Sequence, residues 1–361
     1  MKLTFPHMGN AYITIKALLD ELGLDYVIPP FNNKRSMSLG SKYAPEQVCL
    51  PLKKNLGNYI EAFEMGADTV VLTGGCGPCR FGFYAELEKE ILHDNGFPME
   101  VYAFEKPEQG IWEVIERIKA VTGGFNVPKL VKAVKAAADI SVMVDELERL
   151  TYKTRPREAS PGETDKIYRD FRNGIFEATG GKEIKEHIKE AEERLRQISL
   201  KEGRPPLRVG IIGEIYGTND SQTTMDIDIR LGQMGIEVYR YVTLSSWVVD
   251  HMLKKALRMT YDMGAIEAAR PYLSGTVGGH AQENAGNAIR FAKDGYDGVI
   301  QLYPLNCMPE IVVQSLLPAI ERDYGMPILT LIIDEMTGEA GYITRLDAFA
   351  ELMYQRRELQ K

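Results

Sequence analysis

The sequence predicts an α/β protein made of two parallel-sheet halves with a helical segment between them. Three observations predict it. Short apolar runs of strand length alternate with amphipathic helical patterns over residues 1–125, and again over 206–361; that rhythm is the mark of βαβ units. Residues 126–205 hold no strand pattern. The two α/β halves also echo each other. GADTVVLTGGC starts at Gly66 and GYDGVIQLYPLNC starts at Gly295. Each runs an apolar strand into a cysteine-bearing loop, then a helix, then D-x-G-x-P (Asp94–Pro98 and Asp323–Pro327), then another strand. A duplicated domain would give this echo; convergent loop chemistry would give part of it.

In the first half the predicted strands are Lys2–Phe5, Asp25–Ile28, Thr69–Thr73 and Met99–Ala103, with amphipathic helices such as Ala11–Glu21 and Gly57–Glu64 between them. In the middle segment LVKAVKAAADISVMVDELERL reads as one long helix. KEIKEHIKEAEERLRQISL reads as a second, highly charged one after the Gly180–Gly181 break. Pro156, Pro161 and Gly162 mark a loop between them, and the charge run is most simply a solvated helix face. In the second half the predicted strands are Arg208–Ile212, Glu237–Tyr241, Gly298–Tyr303 and Ile328–Ile333.

Composition narrows the function. The 361 residues are 44% hydrophobic and 26% charged, which excludes a largely disordered chain. Lys+Arg is 43 against 51 Asp+Glu, for a net charge of -8. A nucleic-acid binder is expected to be basic at least in patches, and no Lys/Arg run dominates here, so nucleic acid is not expected as a partner. No stretch approaches the ~20 apolar residues of a membrane span. The opening MKLTFPHMGN lacks the apolar core of a signal peptide, so the expected compartment is the cytoplasm.

There are four cysteines: Cys49, Cys76, Cys79 and Cys307. In a reducing compartment such a set points to metal binding or catalysis more than to disulfides. Cys76-Gly-Pro-Cys79 is a C-x-x-C turn just past the end of the strand Thr69–Thr73, where open α/β sheets build their sites. Cys307 lies at the corresponding place past Gly298–Tyr303, and Cys49 in a loop that feeds the helix after Pro51. Three of the four are followed two residues on by proline: Cys49-Leu-Pro51, Cys76-Gly-Pro78 and Cys307-Met-Pro309. With Pro at ~5% of residues, chance gives that roughly once in two thousand. Proline favours the first position of a helix, so Cys49 and Cys307 are expected at helix N-termini, where the dipole favours thiolates and anionic clusters. Four thiolates suit tetrahedral zinc or a 4Fe-4S cluster. One C-x-x-C plus two distant single cysteines fits a cluster bridging the two halves better than it fits paired zinc knuckles. A dithiol redox pair with two inert loop thiols is the remaining reading.

Several segments carry a family resemblance: Val48–Lys53 (VCLPLK), Gly74–Phe81 (GGCGPCRF), Gly213–Tyr216 (GEIY), Val277–His280 (VGGH), Asn306–Glu310 (NCMPE), Asp334–Gly341 (DEMTGEAG) and Thr344–Leu346. Together they resemble the acyl-CoA dehydratase activase-related family, often labelled CoA protein activase or CoA-substrate-specific enzyme activase. That family is distantly related to 2-hydroxyacyl-CoA dehydratase subunits and to double-cubane cluster proteins. The motifs run in order from residue 48 to 346, and the middle helical segment carries none of them. The resemblance implies two Rossmann-like parallel-sheet domains with an iron–sulfur cluster in the cleft between them. It places the ligands on Cys49, Cys76, Cys79 and Cys307. It also implies a separate ATP-hydrolysing activase of actin-like fold that injects low-potential electrons.

The chain departs from that activase itself, having neither a GxxxxGK(S/T) phosphate loop nor an actin-like D-x-G-x-T segment. The dehydratase subunits use three cysteines per cluster and leave one iron open to substrate. Four ligands close that position, which favours electron transfer. Direct reduction or dehydration of an acyl-CoA or other small substrate at the cluster is the alternative, and a scaffold with a structural metal is another. A homodimer would bring eight cysteines together, enough for a larger cluster.

Four further residues are candidates for the surroundings of the metal or a substrate, and none is singled out as catalytic. Arg80, directly after Cys79, would balance cluster charge or fix a phosphate, or else cap a helix. His7 follows the first strand, on the usual ligand edge of such sheets. Glu214 ends the strand Arg208–Ile212 as an acid/base or acceptor group. His280 follows Gly278-Gly279 at a helix start, where an anion could sit, though a lone histidine is more often structural. Lys53 and Lys54 are expected in solvent. Asp334, Glu335 and Glu339 are expected to cap a helix start rather than bind a second metal.

Overall fold

The computed structural model describes residues 1–74, 79–104, 111–124, 126–247 and 263–359. The chain is α/β and divides into two compact units, residues 1–141 with 178–184, and residues 142–177 with 185–361.

The first unit opens with β1 (Leu3–Thr4), α1 (Ala11–Leu22), α2 (Lys34–Tyr43), α3 (Leu50–Glu64) and β2 (Thr69–Thr73). A 3-10 turn (Arg80–Phe83), α4 (Tyr84–Asp94), β3 (Glu100–Phe104) and α5 (Ile111–Thr122) follow. The strands form a parallel sheet in the order β1-β2-β3. The predicted strand Asp25–Ile28 contributes a single parallel bridge, Leu3 to Tyr26, on the free side of β1. Helix α3 is buried on every side from Leu50 to Ala62. Its packing against α2 requires glycine. A Cβ on Gly40 would stand 1.6 Å from the Lys53 carbonyl oxygen, and one on Gly57 1.9 Å from that of Ser36.

Helices α6 (Val127–Thr154), α7 (Glu163–Glu177) and α8 (Gly180–Arg196) fill the strand-free middle of the chain. Both predicted helices form, and α7 is an addition. The prolines that suggested a loop occupy only a 3-10 turn at Arg155–Arg157 and the few residues before Glu163. The division between the units falls inside α6 and α8, so this segment contributes to both.

The second unit continues with β4 (Leu207–Gly213), α9 (Ile215–Asn219), α10 (Ile227–Gln233), β5 (Ile236–Arg240), α11 (Leu244–Trp247) and α12 (Met263–Ala269). It ends with α13 (Ala281–Lys293), β6 (Gly298–Pro304), α14 (Met308–Tyr324), β7 (Ile328–Ile333) and α15 (Glu339–Leu359). Its parallel sheet has the order β5-β4-β6-β7. Every residue of β6 is buried, as expected of an inner parallel strand. The core gathers Ala285, Ile289 and Phe291 of α13 with Val299 of β6 and Val313, Leu317 and Ile320 of α14.

The two sheets share one strand order once the Tyr26 bridge is counted as the strand beside β1. In each, the chain goes from an inner strand (β1, β4) outward to one side, then returns to pair on the other side (β2, β6) and moves outward again (β3, β7). The reversal therefore lies between β1 and β2 in the first unit and between β4 and β6 in the second. At such a switch point the loops at the strand C-termini part and leave a crevice. D-x-G-x-P plays the same part in both halves, since Gly96 (φ 82°) and Gly325 (φ 64°) turn α4 and α14 toward β3 and β7.

Candidate metal centre

The described cysteines of each unit stand at these switch-point ends. In the first unit Cys49 is the N-cap of α3, with extended backbone (φ -74°, ψ 157°) and Pro51 in the first turn. Its side chain is buried. Cys79 caps the 3-10 turn Arg80–Phe83 and is partly buried. Two hydrogen bonds lace these segments together. Arg80 Nη1 donates to the Gln47 carbonyl at 2.8 Å, and Cys49 Sγ lies 2.5 Å from the Tyr84 hydroxyl. Burial and the neighbouring Cys49 push the Tyr84 phenol far above its usual range, so it stays protonated. Against a thiolate it is the partner with a proton to donate. Arg80 thus joins the two cysteine segments through a backbone carbonyl, and its side chain is exposed. Cys76 lies outside the described residues.

Lys53 and Lys54 correct the solvent expectation, for both are buried in the turn that follows Cys49. Further along, Asn55 Nδ2 donates to Glu88 Oε1 at 2.9 Å. Burial pushes the Glu88 carboxyl up to about 8. His7 is fully buried. Its backbone N–H donates to Asn58 Oδ1 at 3.1 Å, its Nδ1 lies 3.0 Å from the Pro29 carbonyl, and its ring meets Tyr12 and Phe31. Asn58 is nine residues beyond Cys49, about two and a half helical turns, so His7 sits well along α3 from the thiol.

In the second unit Cys307 is buried and is the N-cap of α14, again with proline in the first turn. Asn306 (φ 64°) makes the tight exit from β6, and Cys307 N–H donates to the Pro304 carbonyl at 2.9 Å. The turn Gly278-Gly279-His280 leans on this helix start. Gly279 has φ 55°, and a Cβ there would stand 2.7 Å from Pro309 Cγ. His280 is mostly buried and caps α13 through its backbone, while its side chain makes no cap hydrogen bond. Glu214, past β4, spends both carboxylate oxygens on a helix start, accepting from the N–H groups of Tyr216 at 2.9 Å and Gly217 at 2.8 Å. That is the geometry of an N-cap.

Glu310, three residues after Cys307, is fully buried between Asn284 Nδ2 at 2.6 Å and Gln301 Nε2 at 2.8 Å. Asn284 Nδ2 also donates to the Gly213 carbonyl at 2.9 Å. Burial first, with Glu214's charge adding to it, pushes Glu310 up to about 8. Sequence reasoning missed Tyr84, Glu88 and Glu310. The one available signal was polar residues on otherwise buried stripes, most plainly Gln301 within GVIQLYP.

Asp334 accepts from the Met336 N–H and from the Thr337 hydroxyl, holding the turn before α15, while Glu339 pairs with Arg230. Among the described residues the cysteines form no disulfide, and no group of three or more His, Cys, Asp or Glu side chains gathers as a metal site. No family model matches the chain, and no curated protein matches it.

Proposed function

We propose that the chain is a 4Fe-4S redox protein of the 2-hydroxyacyl-CoA dehydratase-like superfamily, with a Rossmann-like core in each half. It accepts low-potential electrons from a separate ATP-hydrolysing activase of actin-like fold and passes them on. The observation that carries this reading is the common setting of the described thiols. Cys49, Cys79 and Cys307 each occupy a helix or 3-10 N-cap at the C-terminal edge of a parallel sheet, where backbone N–H groups and the helix dipole favour anionic sulfur. The donor set is soft and sulfur-only, which suits iron–sulfur chemistry. Cys49, Cys76, Cys79 and Cys307 would hold the cluster, which when bound supplies one-electron transfer.

The chain's own residues set the conditions for that transfer. Lys53 and Lys54 bring buried positive charge to the helix that Cys49 caps. Arg80 holds the Cys49 and Cys79 segments in register through the Gln47 carbonyl.

The test is cysteine substitution under anaerobic purification. Cys49→Ser and Cys307→Ser are each expected to lose more than half of the bound iron, and the wild type to show an electron paramagnetic resonance signal on reduction with dithionite. Full iron retention in both variants would refute the proposed ligand set.

A further inference from the structure

We propose that Tyr84 is a positioning residue for the redox centre: its hydroxyl donates a hydrogen bond to the Cys49 thiolate and raises the reduction potential of the group that Cys49 ligates. The proposal rests on the iron–sulfur reading above. Its geometry is specific. Tyr84 opens α4, is 1% exposed, and reaches across to the N-cap of α3. Phe81 packs against its ring, with centroids 5.5 Å apart, and fixes its direction. Arg80, one residue nearer Cys79, ties the same turn to the loop before Cys49. The phenol is therefore held by ring packing with its hydroxyl oxygen 2.5 Å from the sulfur.

Hydrogen bonds to ligating sulfur are one of the levers that set iron–sulfur potentials. A donor on the thiolate withdraws electron density, and so stabilises the reduced cluster more than the oxidised one. Reduction adds one electron to the cluster, supplied in the test by dithionite, and the phenolic proton stays on its oxygen.

The experiment is a redox titration of the anaerobically purified chain, with iron and sulfide counted in every sample. Tyr84→Phe keeps the ring and removes the donor. It is expected to retain iron and to lose about tenfold in the one-electron reduction equilibrium, ~59 mV toward lower potential. Phe81→Leu, which alters packing alone, is expected to leave the potential within a third of that shift. If Tyr84→Phe fails to assemble a cluster, 3-fluorotyrosine at position 84 carries the test. Its more acidic phenol is a stronger donor and is expected to raise the potential. An unchanged potential in Tyr84→Phe or in the fluorinated protein overturns the proposal, as does an equal shift in Phe81→Leu. A wild-type chain without iron overturns both this proposal and the function beneath it. A wild-type cluster whose potential ignores Tyr84 overturns this one alone.

Discussion

Glu310 is a carboxylic acid enclosed by amide donors, and its pH behaviour follows from that enclosure. Its folded-state value of about 8 lies above the ordinary 4.5. Between those values the folded chain holds a proton that the unfolded chain releases, so stability falls as pH rises through that window. The contribution is complete below the lower value and gone above the upper one. Glu310→Gln keeps the shape and removes the titration. Thermal melts of this variant are expected to decline less from pH 5 to pH 8.5 than those of the wild type. Equal slopes would contradict the assignment. Glu214 behaves differently because its oxygens are committed to the Tyr216 and Gly217 N–H groups. Glu214→Ala should cost about 1 kcal/mol as a lost cap, read from urea unfolding. A far smaller cost would return Glu214 to the list of available acid/base groups. At this scale the cysteines were legible because C-x-P is a local pattern. Tyr84 and Glu88 were not, since their roles depend on what α3 presents to α4.

Helix α3 shows the same limit at the scale of elements. Its second half, from Gly57, was readable as amphipathic, and its first turn was foreshadowed by Pro51. That the whole stretch Leu50–Ala62 is buried was not readable, because Lys53, Lys54, Asn55, Asn58 and Glu61 look like a solvent face until α2 and α4 close over them. The closeness of α2 is set by Gly40 and Gly57, whose missing side chains admit a backbone carbonyl. Gly57→Ala places a methyl group on the Ser36 carbonyl. Overpacked cores lose typically 1–3 kcal/mol, and a clash with the Ser36 backbone, which cannot swing aside as a side chain can, puts this variant at or above the top of that range. The urea midpoint should fall accordingly; an unchanged midpoint would mean that α2 and α3 are not packed this way. Most predicted strands form, while Asp25–Ile28 contributes only one bridge. Thr69–Thr73 and Ile328–Ile333 appear with the boundaries that their apolar runs suggest, the first as an inner strand and the second as an edge strand. Helix α7 was hidden by Pro156 and Pro161, which lie just before it rather than within it.

For the whole molecule, the repeated sequence pattern has a topological counterpart. Both sheets reverse direction at the same point in their order, and a cysteine loop follows the strand after each reversal. No described helix is long and apolar enough to cross a membrane, and the chain carries a net charge of -8. The central claim is that these thiols serve one iron–sulfur cluster, and one measurement addresses it most directly. The protein is purified without oxygen, and iron, zinc and acid-labile sulfide are counted per chain. The account predicts about four irons and four sulfides. One zinc with no sulfide would contradict it and leave a structural metal in place of a redox centre.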